Sequence, residues 1–564
     1  MPSRSPRRVL AVAVLGIICM MHATARASNV AEFPDNGSEQ MARGGAWVAR
    51  ASDPLAVAFN PAGLAGQESG LTLQSNLIFH RTCFTRIRAA SDKSLDLSVL
   101  PDGTYPRACR DIEPNLNPQI AGAIRLGDRV TLGFAAIGPS AAGNVTWPDF
   151  VGPGLDPSPN RFLLNRQRGI VLHPQIGVGA KVTDRLSVGA SLMWGIAALR
   201  LSNTSIALNT DGQGTNNDVR ANLQVRDDFV PGFTVGGLLA ATDQVDIGVW
   251  YKWSDAIRAK GDVGTAANYY TKNVAQGNES GVKYGDTIFP DCGTGNPADV
   301  QSSPCGTGNN ATVKIPIPME AKLGIRFHKP RFVGGGAGSA VVAPPSGGEA
   351  AAPAAEKPAR ARRGRDPMRD DVFDVELDLT WANDSALDAL QVRFPADPKG
   401  SGDGILPVSG IPGVIPPNGD VPKNYRDVVG ARAGGDFNVL PDRLAFRAGS
   451  FFETAAGDPK VQNIDIAASW RLGLAVGGTY RVRRTDTSAL DIMIGYGHIF
   501  VGTQENKGPD GIPALAGSPC NPVATVNGNN CPDGRPKYRT NWPVNLGTIT
   551  NSINVFNLGA TYRF

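Results

Sequence analysis

From Gly70 onward the hydrophobic positions recur with a period of two. Leu71, Leu73, Leu77 and Phe79 share one face with Ser75, and the residues between them are small or polar. A helix would repeat every 3.6 residues, so the pattern predicts strands. The same alternation returns at 120–126, 130–137, 171–182, 186–199, 232–239, 245–253, 312–327, 372–381, 425–439, 444–452, 473–482, 490–500 and 556–564. At one end these segments are joined by tight turns such as Gly127-Asp128-Arg129, Thr183-Asp184-Arg185 and Pro441-Asp442-Arg443. At the other end lie long polar loops, over about 138–169, 201–230, 255–311, 382–424 and 501–550. Short turns on one side and long loops on the other are the layout of a transmembrane barrel. Backbone groups in lipid must all be paired, so the sheet must close on itself. The expected fold is all-β: a 14-stranded antiparallel transmembrane β-barrel.

Two strands show which way their faces point. At the C-terminus Phe556, Leu558, Ala560, Tyr562 and Phe564 alternate with Asn557, Gly559, Thr561 and Arg563. That is one lipid face and one lumenal face, ending on an aromatic residue in the manner of outer-membrane proteins met by the barrel assembly machinery. In 372–381, Asp374, Glu376 and Asp378 alternate with Phe373, Val375, Leu377 and Leu379. Three acids in a row are expected to face a wet lumen. Just before 372–381 the rhythm breaks at 334–369, rich in Ala, Pro and Gly with Arg360, Arg362, Arg363 and Arg365. Its composition predicts a disordered insertion on the short-turn, periplasmic side. Its basic cluster would lie within reach of peptidoglycan, anionic headgroups or a partner, and the plainer reading is a tolerated insertion.

The N-terminus supplies the compartment. Arg4, Arg7 and Arg8 precede the apolar run 9–21, and Ala25-Arg26-Ala27 offers small residues for cleavage, so 1–27 reads as a signal peptide. The formal charge of +4 equals the charge of Arg4, Arg7, Arg8 and Arg26, which leaves a nearly neutral mature chain with no basic field for nucleic acid. Six cysteines remain after Cys19 is removed, in three sequence-local pairs: Cys83–Cys109, Cys292–Cys305 and Cys520–Cys531. Other connectivities are possible, but the local one closes short loops in an oxidising compartment. Their spacing fits neither a redox C-x-x-C unit nor a metal site. Single histidines on different strand ends, and the lack of a G-x-S-x-G elbow, give no catalytic constellation and call for no cofactor.

Ahead of the first strand, residues 44–66 read GGAWVARASDPLAVAFNPAGLAG, small and almost uncharged, with turn signals at Asp53-Pro54 and Asn60-Pro61-Ala62-Gly63. Such a stretch can pack tightly inside another structure, and 28–68 is read as a plug for a barrel spanning 69–564. Arg43-Gly44-Gly45-Ala46, Ala49 to Asp53 and Ala58-Phe59-Asn60-Pro61-Ala62-Gly63-Leu64-Ala65 resemble the N-terminal hatch of the outer-membrane long-chain fatty acid and hydrocarbon transporters (FadL/TodX-like). Weaker echoes are Ala321 to Phe327 after Pro316-Ile317-Pro318, and Ile494-Gly495-Tyr496-Gly497-His498. The resemblance implies a monomeric barrel in the outer membrane of a Gram-negative bacterium, embedded in lipid and lipopolysaccharide. It implies a hydrophobic ligand caught in a cleft among the extracellular loops, and release past the hatch or sideways into the membrane.

Candidate residues follow. Asn60, Pro61, Ala62 and Gly63 are the expected gate, because proline fixes one dihedral and glycine permits a tight turn. Their bland alternative is an ordinary turn. Asp53 is expected either to cap a helix turn that begins at Pro54 or to pair with a lumenal cation. Gly138-Pro139, at the top of the third strand, is the candidate lateral exit, since proline cannot donate to a ladder. Phe150, Phe162, Leu163 and Leu164, with Arg161, Arg166 and Arg168 nearby, are candidate cleft residues or plain loop anchors. Trp147, Trp250, Tyr251 and Trp253 read as interfacial belt residues. A polar-solute porin or a surface adhesin is the alternative to hydrophobic transport. An open lumen would favour the first, and loop-dependent binding the second.

Overall fold

The computed structural model describes residues 36–564 except 91, 93–97, 140–143, 153–155, 207–217, 268–301, 304–310, 332–365, 394–405, 408–413, 416–418, 467, 484, 486–487 and 516–538. Residues 1–27, read above as a signal peptide, Cys292, Cys305, Cys520, Cys531 and most of the insertion lie outside the described residues.

Fourteen antiparallel strands form the wall. They are β1 (Gly70–Arg86), β2 (Asn115–Arg125), β3 (Val130–Ile137), β4 (Arg166–Lys181), β5 (Leu186–Ile206), β6 (Asp218–Ala240) and β7 (Val245–Ser254, continued by Ile257–Ala267). There follow β8 (Ala311–Ile315 and Glu320–Pro330), β9 (Asp371–Ala382, continued by Ala389–Arg393), β10 (Val428–Leu440), β11 (Leu444–Glu453), β12 (Arg471–Arg483), β13 (Ala489–Val501) and β14 (Gly547–Arg563). Each pairs with the next, and β14 pairs with β1 from Gly70↔Arg563 to Arg86↔Gly547, so the sheet has no free edge. The alternation has a direct cause. Leu73, Leu116, Ile176, Leu192, Ile494 and Leu558 stand on the outer face, largely exposed. An apolar surface that runs around a closed sheet is solvated by lipid.

Several boundaries differ from expectation. The loop expected at 201–230 is mostly strand, because β5 and β6 stay paired from Asp218↔Ile206 downward. Their extensions bury Leu199, Leu201, Leu223 and Val225 on one side while Asn, Ser and Arg residues masked the alternation. Likewise 257–267 pairs with β6 instead of looping out. Cys83 lies within β1, directly across from Cys109 on a short added strand, and the two form a disulfide. Pro316 and Pro318 interrupt β8, since neither can donate to a ladder. Of the four presumed belt aromatics, Tyr251 and Trp253 flank Phe233 on the outer face. Trp250 alternates with them and turns inward, where its indole donates to the Ala58 carbonyl at 3.0 Å, and Trp147 is buried in a loop core.

The end of the insertion is ordered. Pro367–Asp370 form a helical turn with Met368 buried. The amide of Asn438 donates to the Pro367 carbonyl at 2.9 Å, and the guanidinium of Arg481 bridges Asp366, Asp442 and Asp491. The expected disorder through 369 is thus overturned at 366–369 by ion pairs that composition could not show.

Candidate functional site

Residues 36–67 are almost wholly buried, although they belong to no strand. The segment contains a helical turn at Ser38–Ala42, another at Ala56–Phe59 and a 3₁₀ turn at Pro61–Leu64. It packs on the strand faces opposite the apolar belt. Those faces are built for close approach. Gly179, Gly189, Gly236, Gly248, Gly434 and Gly449, on six different strands, each meet its atoms at positions a Cβ would occupy. Val48 O would stand 2.6 Å from a Cβ on Gly248, and Pro61 O would stand 2.5 Å from one on Gly179.

Electrostatics fixes the register. The Arg43 guanidinium donates to Asp374 at 2.7 Å, Asp436 at 2.6 Å and Glu376 at 3.2 Å, and its Nε donates to the Ala46 carbonyl at 2.8 Å. Arg50 pairs with Asp374 and reaches Asp436 at 3.0 Å. The Trp47 and Val48 amides donate to Asp378 at 2.9 and 3.1 Å, and the Ala49 amide to Glu376 at 2.6 Å. The row Asp374–Glu376–Asp378 is therefore dry, with each residue buried. The expectation of a wet row fails because the acids serve as acceptors for the N-terminal segment. Glu39 accepts from the Trp47 indole at 3.3 Å and pairs with Arg50 and Arg447 at 3.5 Å. Burial alone would raise its pKa, but the surrounding arginines hold it well below the usual carboxylate range.

Asp53 accepts from the Leu55 amide at 2.8 Å and, at 3.4 Å, from the Gln74 side chain. It makes no salt bridge among the described residues, and the helical turn begins at Ala56 with Leu55 in the cap position, so Asp53 braces the turn ahead of the helix instead of capping one that starts at Pro54. Burial, reinforced by the charge of Glu39, pushes its carboxyl up to about 7. An acid with a raised folded-state pKa contributes stability that is fully present below the unfolded value and is lost as pH climbs through the folded value. The segment's docking should therefore weaken between about pH 4 and pH 7 and level off above. Limited proteolysis of residues 36–67 across that range should show this slope, and Asp53→Asn should flatten it. A slope unchanged in the variant would refute the assignment to Asp53.

Asn60 is the corner of the segment. Its side-chain oxygen accepts from the Ala62 amide at 3.2 Å, and its nitrogen donates to Val48 O at 2.8 Å and Gly237 O at 3.3 Å. Pro61 takes the first position of the 3₁₀ turn, where its missing N–H costs nothing. The tetrad Asn60–Gly63 thus ties one stretch of the segment to another and to β6.

Among the described residues, β3 pairs with β4 as far as Ile137↔His173, and a short strand at Val145–Thr146 pairs with β4 at Val145↔Gln167 and Thr146↔Arg166. Gly138 directly follows β3, its carbonyl accepting from the Asn36 amide at 3.0 Å, and Pro139 follows it. Among the cleft candidates, Phe162 and Leu163 are buried with Phe84, Tyr105 and Trp147. Leu164 belongs to a separate cluster with Leu199, Leu201, Leu223, Val225 and Tyr425. Phe150 is buried on a short two-strand ladder of the 138–165 loop. Arg161 donates to Asp218 at 2.7 Å, Arg166 pairs with Asp149, and Arg168 meets Glu113 at 3.3 Å. Sequence reasoning missed Arg50 and Arg447. An isolated arginine in a small-residue stretch was the available signal for Arg50.

The family described as outer membrane protein transport protein (OMPP1/FadL/TodX) matches residues 16–332. The chain belongs to this family. It is therefore an outer-membrane transport barrel, not an enzyme. Among solved structures it is similar to a FadL homologue of Pseudomonas aeruginosa, at 17% identity, covering 96% of this chain and 100% of that one with a TM-score of 0.58. It is also similar to the toluene transporter TodX of Pseudomonas putida, at 14% identity over 95% of this chain and 99% of that one with a TM-score of 0.53. The toluene transporter TbuX of Ralstonia pickettii matches at 16% identity over 95% and 99%, with a TM-score of 0.50. At these identities the likeness concerns the fold. No curated protein matches the sequence.

Proposed function

We propose that this chain carries hydrophobic molecules, with long-chain fatty acids as the first cargo to test, through a barrel whose N-terminal segment is a hatch. In this reading 1–27 is removed on export, 28–68 is the hatch and 69–564 is the barrel, assembled by the barrel assembly machinery into a lipid and lipopolysaccharide membrane. The single observation that carries the reading is the docking of residues 36–67. Backbone meets glycines on six strands, and Arg43 and Arg50 meet carboxylates of β9 and β10. A segment so held blocks free passage, which argues against an open polar porin.

The Asn60–Gly63 turn is the gate, and the apolar cluster of Leu199, Leu201, Leu223, Val225 and Tyr425, on the long-loop side, is where an alkyl chain is held. Release is past this gate, with Gly138-Pro139 as the alternative, sideways exit, since Pro139 cannot donate to a ladder. Phe150, Phe162 and Leu163 line the approach, with Arg161 and Arg166 beside them.

Uptake of a radiolabelled long-chain fatty acid tests the reading, in cells without their own outer-membrane transporter. The intact chain should restore uptake, and deletion of Asn60–Gly63 should abolish or deregulate it. No uptake by a barrel shown to be folded in the outer membrane would reject fatty acid as cargo.

A further inference from the structure

Beneath the Asn60–Gly63 turn, at the short-turn end of the barrel, lies a cavity of about 520 Å³ that the transport reading does not use. Ala62, Gly63 and Ala65, partly of the gate itself, form an apolar patch of its ceiling with Leu238, beside Arg50, Ser52 and Gln67 of the same segment. Its rim is charged and comes from the short turns.

Most rim charges are engaged locally. Arg129 faces Asp184 at 3.9 Å, Asp128 receives Arg125 at 2.8 Å, Asp246 receives Arg326 at 3.1 Å, and Arg185 donates to the Ala241 carbonyl at 3.4 Å. Lys181 differs. Among the described residues its ammonium makes neither a salt bridge nor a hydrogen bond. Arg125, Arg129, Asp128 and Asp184 act on it only at longer range, and their signs balance. Its side chain is extended across the hatch backbone at Gly66, over the spot a Cβ would fill. The result is an apolar patch of ceiling directly below the gate with one unengaged ammonium beside it.

We propose that this cavity receives the carboxylate end of an alkyl chain that has passed the gate, with Lys181 as its counter-charge. The inference rests on the transport reading and deepens it. A neutral hydrocarbon has no use for the ammonium, whereas a carboxylate would gain a charge-assisted hydrogen bond while its chain stays against the apolar patch.

The test uses the full-length protein in detergent at pH 8 and a dodecanoate with a diazirine at its far end, with crosslinks mapped by mass spectrometry. Labelling should appear on peptides containing 62–66 or 238–240 and should be displaced by dodecanoate but not by dodecanol. Lys181→Met should lower labelling there by about tenfold or more, as for loss of a hydrogen bond to a charged group. Lys181→Arg should retain it, and labelling elsewhere should persist in both. Folding of each variant is read from heat-modifiable electrophoretic mobility. Unchanged labelling in Lys181→Met, or equal displacement by dodecanol, overturns the proposal. The cellular uptake assay separates the two readings. Uptake without labelling here removes only this site, and labelling without uptake rejects fatty acid as the transported cargo.

Discussion

Replacing Arg43 by methionine should release the N-terminal segment and leave the barrel standing. Arg43 is fully buried and is shared by Asp374, Asp436 and Glu376. Without its guanidinium the three acids retain Arg50, Arg326 and Arg447 as neighbours, one cation fewer than the cluster is built for. Removing one partner of a buried pair costs about 3–5 kcal/mol, because the remaining charge stays desolvated. The wall itself is held by the backbone ladder and by the lipid-facing belt, neither of which involves Arg43. The expected result is a folded, heat-modifiable barrel whose residues 36–67 are protease-sensitive and whose ion conductance in planar bilayers rises well above that of the parent. Adding Asp436→Asn to the variant should recover part of the closure, since the two changes touch the same network and should not add. A protected segment and unchanged conductance in Arg43→Met would show that glycine packing, not charge, holds it.

The relation of this site to the sequence is uneven, and the reason is the distance over which each signal acts. The strand period is local, so 130–137 and 444–452 could be placed nearly to the residue. The acidic alternation in β9 is equally local, and it told correctly that these side chains avoid lipid. It could not tell that they meet Arg43, which is 331 positions from Asp374 in the chain. A carboxylate in water and one against a buried guanidinium look alike until the fold joins them. The extensions of β5 and β6 were hidden for another reason. Asn203 and Ser205 continue the face of Leu199 and Leu201, while Asn222 and Gln224 occupy the face opposite Leu223 and Val225, so polar residues interrupt the alternation on both faces of a paired ladder. Asp366 to Arg369 escaped notice because it adjoins a disordered composition and is held by Arg481, more than a hundred residues away.

Gly449→Val should have the second large effect, and it tests the docking from the steric side. In β11, a Cβ at Gly449 would lie 2.6 Å from Gly44 N and would overlap the Arg43 carbonyl. The neighbour is backbone on one side and a paired strand on the other, since Gly449 sits opposite Gly434 in β10, whose own Cβ position is also taken by Arg43. Neither can yield by a rotamer change. Overpacking of a rigid site costs about 1–3 kcal/mol, and backbone contact places this one at the upper end. The β-branched side chain is well suited to a strand, so the barrel ladder loses little. The strain therefore falls on the segment, which can leave, and Gly449→Val should raise conductance and protease sensitivity of 36–67 as Arg43→Met does. Charge and packing act at the same residue, so the two variants combined should open the barrel little further than either alone. Wild-type protection of the segment in Gly449→Val would mean that it does not lie against β10 and β11 at Arg43, and the proposed hatch would have to be abandoned in this form.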